Sequence, residues 1–224
     1  MKTALQVLAS AAFGFAFFAA ALFWPAGTFD YWHAWVFIAV FIVGTMGPTI
    51  YLVIKRPDAL RRRMRAGPFA ETRPVQRVLI AGIVLMVVVV LVVSALDHRF
   101  GWSTVPTAVV VLGNVLVWTG LTLSQLVIIQ NDYAAATITV ESGQSLVSTG
   151  LYGVVRHPMY AGTLTMLLGT PLALDSYWGL AAILPVLLLL VARIDDEEKM
   201  LRQQLAGYSA YLDQVRYRLI PGVW

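Results

Sequence analysis

The chain of 224 residues contains no cysteine. That excludes disulfides, thiolate catalysis and cysteine-ligated metal, and leaves the redox compartment open. Charge is scarce too: charged residues make up 12% of the chain against 59% hydrophobic ones. No polar stretch exceeds about 25 residues, so the chain has no room for a separate soluble domain. Histidine occurs three times, and the net charge of +4 does not point to nucleic acid. There is no internal repeat and no low-complexity tract.

What fills the chain is apolar sequence, with a mean hydropathy of +0.75. It is arranged in runs of about 17 to 25 residues, the length that spans a bilayer as helix. Six such runs cover 4–23, 33–54, 76–96, 105–129, 158–174 and 177–193. The expected fold is all-α: a polytopic transmembrane protein with five to six membrane segments, the last two forming a helical hairpin. Residues 1–130 hold four N-terminal helices, and 131–224 hold a linker, the hairpin and a tail. The run after Met1-Lys2 resembles a signal peptide, but Trp24-Pro25 is a poor cleavage context and the run reads as a retained first helix.

The basic cluster Lys55-Arg56 and Arg61-Arg62-Arg63-Met64-Arg65, followed by Arg73 and Arg77, places the second loop in the cytoplasm by the positive-inside rule. Arg61–65 reads as a topology determinant and anionic-lipid contact rather than as catalytic. Alternation then puts both termini on the cytoplasmic side and the turns near Asp30, Asp97-His98-Arg99 and Asp175 outside. His33 and His98 thus lie at the opposite face from His157. Trp24, Trp32, Trp35, Trp102 and Trp178 sit near segment ends and suit an interfacial belt.

A tight turn at Asp175-Ser176 makes the last two segments a close antiparallel pair, with Pro158 suited to a first helical turn. The pair would set Tyr152, Arg156, His157 and Tyr160 beside Arg193 and Asp195-Asp196-Glu197-Glu198. Arg193 and Glu197 are also placed to pair at i,i+4. In the linker, Thr137, Thr139 and Val140 alternate like a short strand. Beyond 199, Leu201, Leu205, Tyr208, Tyr211, Leu212 and Val215 recur at helical spacing, predicting an amphipathic helix against the membrane face or capping the hairpin.

Such a face offers carboxylates for an ammonium, Arg156 and His157 for an anion, and flat aromatic faces for a purine or a cation. A zwitterionic amino acid joined to a nucleoside would use all three, and S-adenosylmethionine is one. A dinucleotide phosphate would use the arginines and leave the acidic cluster unexplained.

The pattern Gly150, Tyr152, Val155-Arg156-His157-Pro158, Tyr160, then Glu197-Glu198, Leu201, Tyr208, Tyr211, Arg218 and Pro221 resembles the isoprenylcysteine carboxyl methyltransferase family and the broader membrane phospholipid methyltransferases. The resemblance spans roughly 130–224. It departs where the family often has glycine three residues before the first tail tyrosine: Leu205 stands there, and Gly207 precedes Tyr208.

The resemblance implies an S-adenosylmethionine-dependent methyltransferase, releasing S-adenosylhomocysteine, with a lipophilic or prenylated acceptor entering from the bilayer. It implies cofactor binding by Gly150, Leu151, Tyr152, Val154, Arg156, His157, Tyr160, Glu197 and Glu198. Asn131, Arg193, Arg216 and Arg218 are the candidates to orient the acceptor. A carboxylate acceptor needs no general base and no metal; an amine or thiol would need deprotonation, by His157 or a glutamate.

The C-terminal half also resembles membrane sterol reductases, which share the Arg-His-Pro-x-Tyr segment but use NADPH. A third, non-enzymatic reading is a small membrane scaffold or a transporter; transport would need ionisable groups at mid-bilayer, and the spans carry almost none. The expected setting is the inner membrane of a bacterium or archaeon, among membrane lipids and without nucleic acid.

Overall fold

A computed structural model describes residues 2–57, 60, 71, 73–131, 133–134 and 144–224, with the side chains of 2–8, 10 and 11 excepted. The basic run 61–65 and the alternation at 137–140 lie outside the described residues. Every described element is helical: α1 (Lys2–Ala26), α2 (Trp32–Lys55), α3 (Pro74–Phe100), α4 (Thr107–Gln130), a 3₁₀ turn (Gly150–Gly153), α5 (Pro158–Ala173), α6 (Trp178–Ala181), α7 (Leu184–Gln204) and α8 (Tyr208–Gln214).

Four stretches among the described residues are long and apolar enough to cross a membrane: α2, α3, α4, and α6 with α7 together (Trp178–Gln204). Their outer faces carry large exposed apolar side chains, including Ile54, Val78, Leu85, Val111 and Leu188. In water such faces would aggregate; in a bilayer they are solvated. The protein is an integral, polytopic helical membrane protein. The five belt tryptophans are all exposed, and Trp102 and Trp178 meet edge to face.

Between bilayer helices there is no hydrophobic driving force, so close packing rests on small residues that let backbones approach. Gly113 and Gly120 of α4 face Gly162 and Gly169 of α5 in one seam. A Cβ on Gly120 would collide with the Gly162 carbonyl oxygen and the Met166 amide, and one on Gly169 would lie 2.5 Å from the Gly113 carbonyl oxygen. The α4–α5 pair is the most extensive helix contact among the described residues.

The expected α5–α7 hairpin is present but looser than its short connection suggests. The two do run antiparallel, but they meet through side chains, with Leu167 near Ile183 and Val186, and Tyr160 and Leu164 near Leu190 and Ile194. The glycine seam takes α5 onto α4, and α7 packs instead along α3. The connection is also longer than a two-residue turn. It runs from Leu174 through α6, and Asp175 takes a left-handed φ of 60°.

The tail differs as well. α7 continues to Gln204, a break at Leu205–Gly207 follows with Gly207 at φ 81°, and α8 is only seven residues long. Its apolar side is not laid on lipid. Tyr208, Tyr211 and Val215 pack with Leu205, Leu146 and Leu201, which is the capping alternative.

Candidate functional site

Glu198 is the centre of the tail-side site. Its carboxylate is 2% exposed, and both oxygens are occupied. Oε1 accepts from Arg156 Nε at 2.7 Å and lies 3.1 Å from His157 Nε2, while Oε2 is 3.1 Å from Arg218 Nη2. The backbone explains this convergence. Pro158 starts α5 without needing an N–H partner, so the chain before it is extended and pairs with the tail. Arg156 N–H donates to the Tyr217 carbonyl and His157 N–H to the Arg218 carbonyl, both at 2.9 Å. Arg156 Nη1 then donates to the carbonyls of Val215 and Arg216. One carboxylate thereby ties α7, the start of α5 and the tail together.

Glu197, one residue earlier, is held differently. Its Oε2 accepts from the Tyr160 hydroxyl at 2.7 Å and lies 4.0 Å from His157 Nδ1. The same hydroxyl accepts from Arg193 Nε at 3.0 Å, so Tyr160 stands between the two residues expected to pair at i,i+4. Arg193 is 3% exposed and bonds Gln76 Oε1 at 2.7 Å and Glu71 Oε1 at 2.9 Å. Gln76 also donates to Asp196, which pairs with Arg73 at 2.8 Å. The N-terminal end of α3 is thus locked to α7 beneath the site.

Above Glu197 opens a cavity of about 830 Å³, counted with its mouth. Tyr152, Arg156, His157, Tyr160 and Glu197 form its polar wall, and Asn131 stands at its edge. Met159, Met200, Leu201 and Leu205 supply apolar surface, and Leu146, Tyr208 and Tyr211 close it from the linker and tail.

Burial pushes the Tyr152 phenol up to about 12; the Asn131 amide that donates to its oxygen at 3.1 Å opposes this, and the Glu197 charge adds to it. Burial and then nearby anions raise the Tyr208 and Tyr211 phenols too. All three stay neutral donors at ordinary pH. Tyr211 donates to the Tyr152 carbonyl at 2.6 Å. The Tyr208 hydroxyl is buried without a hydrogen-bond partner among the described residues, a cost of about 1–3 kcal/mol that a polar ligand atom or a water would relieve.

The expected cofactor residues therefore divide. Tyr152, Arg156, His157, Tyr160 and Glu197 line the cavity; Glu198 lies behind them. Gly150, Leu151 and Val154 do not face it. Gly150, at φ 58°, abuts the Gln130 side chain, whose Oε1 accepts from Leu151 N–H at 3.1 Å, and Val154 is exposed. Of the four expected to orient an acceptor, only Asn131 is on the wall. Arg193 sits beneath Tyr160, Arg216 is exposed and lends its carbonyl, and Arg218 pairs with Glu198 and with Asp195 at 2.9 Å.

Sequence reasoning missed Glu71 and Gln76. Glu71 is the one acidic residue between Arg61 and Arg77, and Gln76 stands beside Arg77 at the start of a long apolar helix; those two anomalies were the available signal. It also missed the 144–147 wall, which has no distinctive residue.

The fold and site define a helical membrane protein with a polar-walled cavity at one end of its spans. Residues 108–207 match the family model described as phospholipid methyltransferase. For that stretch the resemblance read from Arg156-His157-Pro158 and Glu197-Glu198 is borne out, and the match supports a membrane methyltransferase. The chain is also similar to the delta(14)-sterol reductase of Mus musculus, 34% identical over 95 residues. That alignment covers 39% of this chain and 22% of the mouse protein.

Proposed function

We propose that the chain is an S-adenosylmethionine-dependent methyltransferase acting on a lipophilic acceptor, with an isoprenylcysteine-like carboxylate as the acceptor class. The observation that carries this reading is the cavity wall: a carboxylate, Glu197, shares one concave surface with aromatic faces and the orphaned Tyr208 hydroxyl. Those groups fit an ammonium and a nucleoside at once. When bound, the cofactor supplies an electrophilic methyl on sulfonium.

The chain's own residues bind and orient. Glu197 takes the ammonium, while Glu198 is saturated and holds Arg156, His157 and Arg218 in place. Tyr152 and Tyr160 give flat walls, and α8 with the 144–147 segment excludes water from the reacting centre. Arg218, Arg216, Arg193 and Asn131 remain the residues proposed to direct the acceptor, with Asn131 touching it and the arginines setting the field around it. The site faces the cytoplasm of a prokaryotic inner membrane in this reading.

A second reading, an NADPH-dependent reductase, is favoured by the similarity to the mouse sterol reductase. Calorimetric titration of the detergent-purified chain with S-adenosylhomocysteine and, in parallel, NADPH separates them. Saturable micromolar binding of the former, weakened at least about tenfold in Glu197→Gln, is the expected result. Binding of NADPH alone transfers the site to the reductase, and binding of neither removes both.

A further inference from the structure

The far end of the bundle carries a second group of chemistry-bearing residues that the methyltransferase reading does not use. His33 at the start of α2, His98 near the end of α3 and Asp175 in the α5–α6 connection each bring one ligand atom to within 4.8 Å of the other two. Gln76 and His98 lie on the same helix, and 22 residues at 1.5 Å each put this group about 33 Å from the tail-side site. The two therefore belong to opposite membrane faces.

His98 and Asp175 are each held by a neighbour as metal ligands are. His98 is stacked on Tyr31, centroids 3.8 Å apart, and its Nε2 faces the Asp30 carbonyl at 3.4 Å. With that nitrogen protonated toward a backbone oxygen, Nδ1 keeps its lone pair, the arrangement by which metal-binding imidazoles are oriented. The His33 ring leans on Trp32, centroids 3.8 Å apart, and its buried Nδ1 has no hydrogen-bond partner among the described residues. His33 Nε2 lies 3.9 Å from Asp175 Oδ2, too far for a hydrogen bond. Asp175 Oδ1 accepts from Val105 N–H at 2.6 Å, leaving Oδ2 available.

Asp175 is also the only described non-glycine residue with a positive φ. Such strain persists where surrounding structure enforces it, and it clusters at functional sites. Here the enforcement is visible: Ser176 next to it donates to buried Asp97, which also binds Ser103. The carboxylate is thus presented from a rigid corner.

We propose that His33, His98 and Asp175 form a binding site for a divalent first-row transition cation, with two imidazole nitrogens, one carboxylate oxygen and an open fourth position for water. This donor set suits Zn²⁺ and is shared with non-haem Fe²⁺. Around a tetrahedral Zn²⁺ with bonds of about 2.0–2.1 Å, ligand atoms sit about 3.3 Å apart, so side-chain adjustments of about an ångström close the site. The bound ion joins the α1–α2 corner, α3 and the α5–α6 connection, and acts as a clamp on that face. The expectation that methyl transfer needs no metal concerns the other end of the molecule and is unaffected.

The test is equilibrium dialysis of the detergent-purified full chain against Zn²⁺, with bound metal measured by mass spectrometry. One Zn²⁺ per chain is expected, with affinity falling at least tenfold in His33→Ala, in His98→Ala and in Asp175→Asn. His157→Ala should bind as the wild type does. Asp175→Asn is the variant that guards against misfolding, because asparagine tolerates the left-handed backbone and keeps an acceptor for Val105. Its melting temperature without metal should match the wild type, while the rise on adding Zn²⁺ should be lost. Absence of stoichiometric binding in the wild type, equal binding in Asp175→Asn, or binding lost only in His157→Ala overturns the proposal.

Discussion

Replacing Glu198 by glutamine keeps the shape of a nearly inaccessible side chain and removes its charge. In the native protein three donors converge on it, at 2.7 Å from Arg156, 3.1 Å from His157 and 3.1 Å from Arg218. Glutamine retains one acceptor and turns an N–H₂ toward a cation. Breaking a buried ion pair by removing one partner costs about 3–5 kcal/mol. Arg218 is partly exposed and keeps Asp195 at 2.9 Å, so it recovers some of that loss. The expected penalty is then about 2–3 kcal/mol, or roughly 4–12 °C in Tm for a chain of this size.

Glu197→Gln, one residue away, is the control. That side chain is 20% exposed and its Tyr160 partner is a donor, which an amide oxygen satisfies equally well. Its Tm should stay within about 2 °C of wild type, while S-adenosylhomocysteine affinity falls at least about tenfold, or 1.4 kcal/mol. Thermal unfolding in detergent, followed by fluorescence of the seven tryptophans, gives the first quantity and calorimetry the second. A Glu198→Gln protein that melts with the wild type refutes the assignment of Glu198 as the anchor. So does a Glu197→Gln protein that melts early with its affinity intact.

Two further outcomes test the frame around the site. Gly120→Ala drives a methyl group against backbone atoms of α5 and should destabilise by about 3 kcal/mol, whereas Gly47→Ala, with open space around it, should stabilise α2 by about 0.5–1 kcal/mol; thermal melts of the two variants check the contrast. The phenol of Tyr152, pushed up to about 12 by burial, favours the folded state fully below pH 10 and loses that contribution as pH rises from 10 to about 12. A Tm–pH series should therefore fall across that window, and Tyr152→Phe should flatten part of the fall.

The spans were legible because a bilayer imposes a length on apolar runs, and all six predicted runs coincide with helical stretches. The meeting of 156–160 with 193–198 was legible for a related reason: an apolar pair joined by a short turn must return to the face it left. Which helix α5 would embrace was not. Gly113 and Gly120, like Gly162 and Gly169, are seven residues apart and so share one helix face, but nothing in the sequence says that the two pairs face each other.

The division of labour between neighbouring glutamates was hidden as well. Glu197 and Glu198 are chemically identical in the sequence, and their 100° separation around α7 sends one to the cavity and the other behind it. Arg193 read as an acceptor-facing cation because its partners, Glu71 and Gln76, lie more than a hundred residues away.

The glycine seam also bears on how the protein is made. α4 is long and apolar enough to cross the bilayer by itself, but its glycine face is shaped for the backbone of α5. Residues 131–157 separate the two in order of synthesis, so α4 waits in the membrane with its small-residue face uncovered until α5 arrives. Docking α5 then sets Gln130 and Asn131 at the end of α4 against Thr149–Tyr152. The cavity, walled in part by α5 and the tail, is consequently complete only once those segments have joined the bundle.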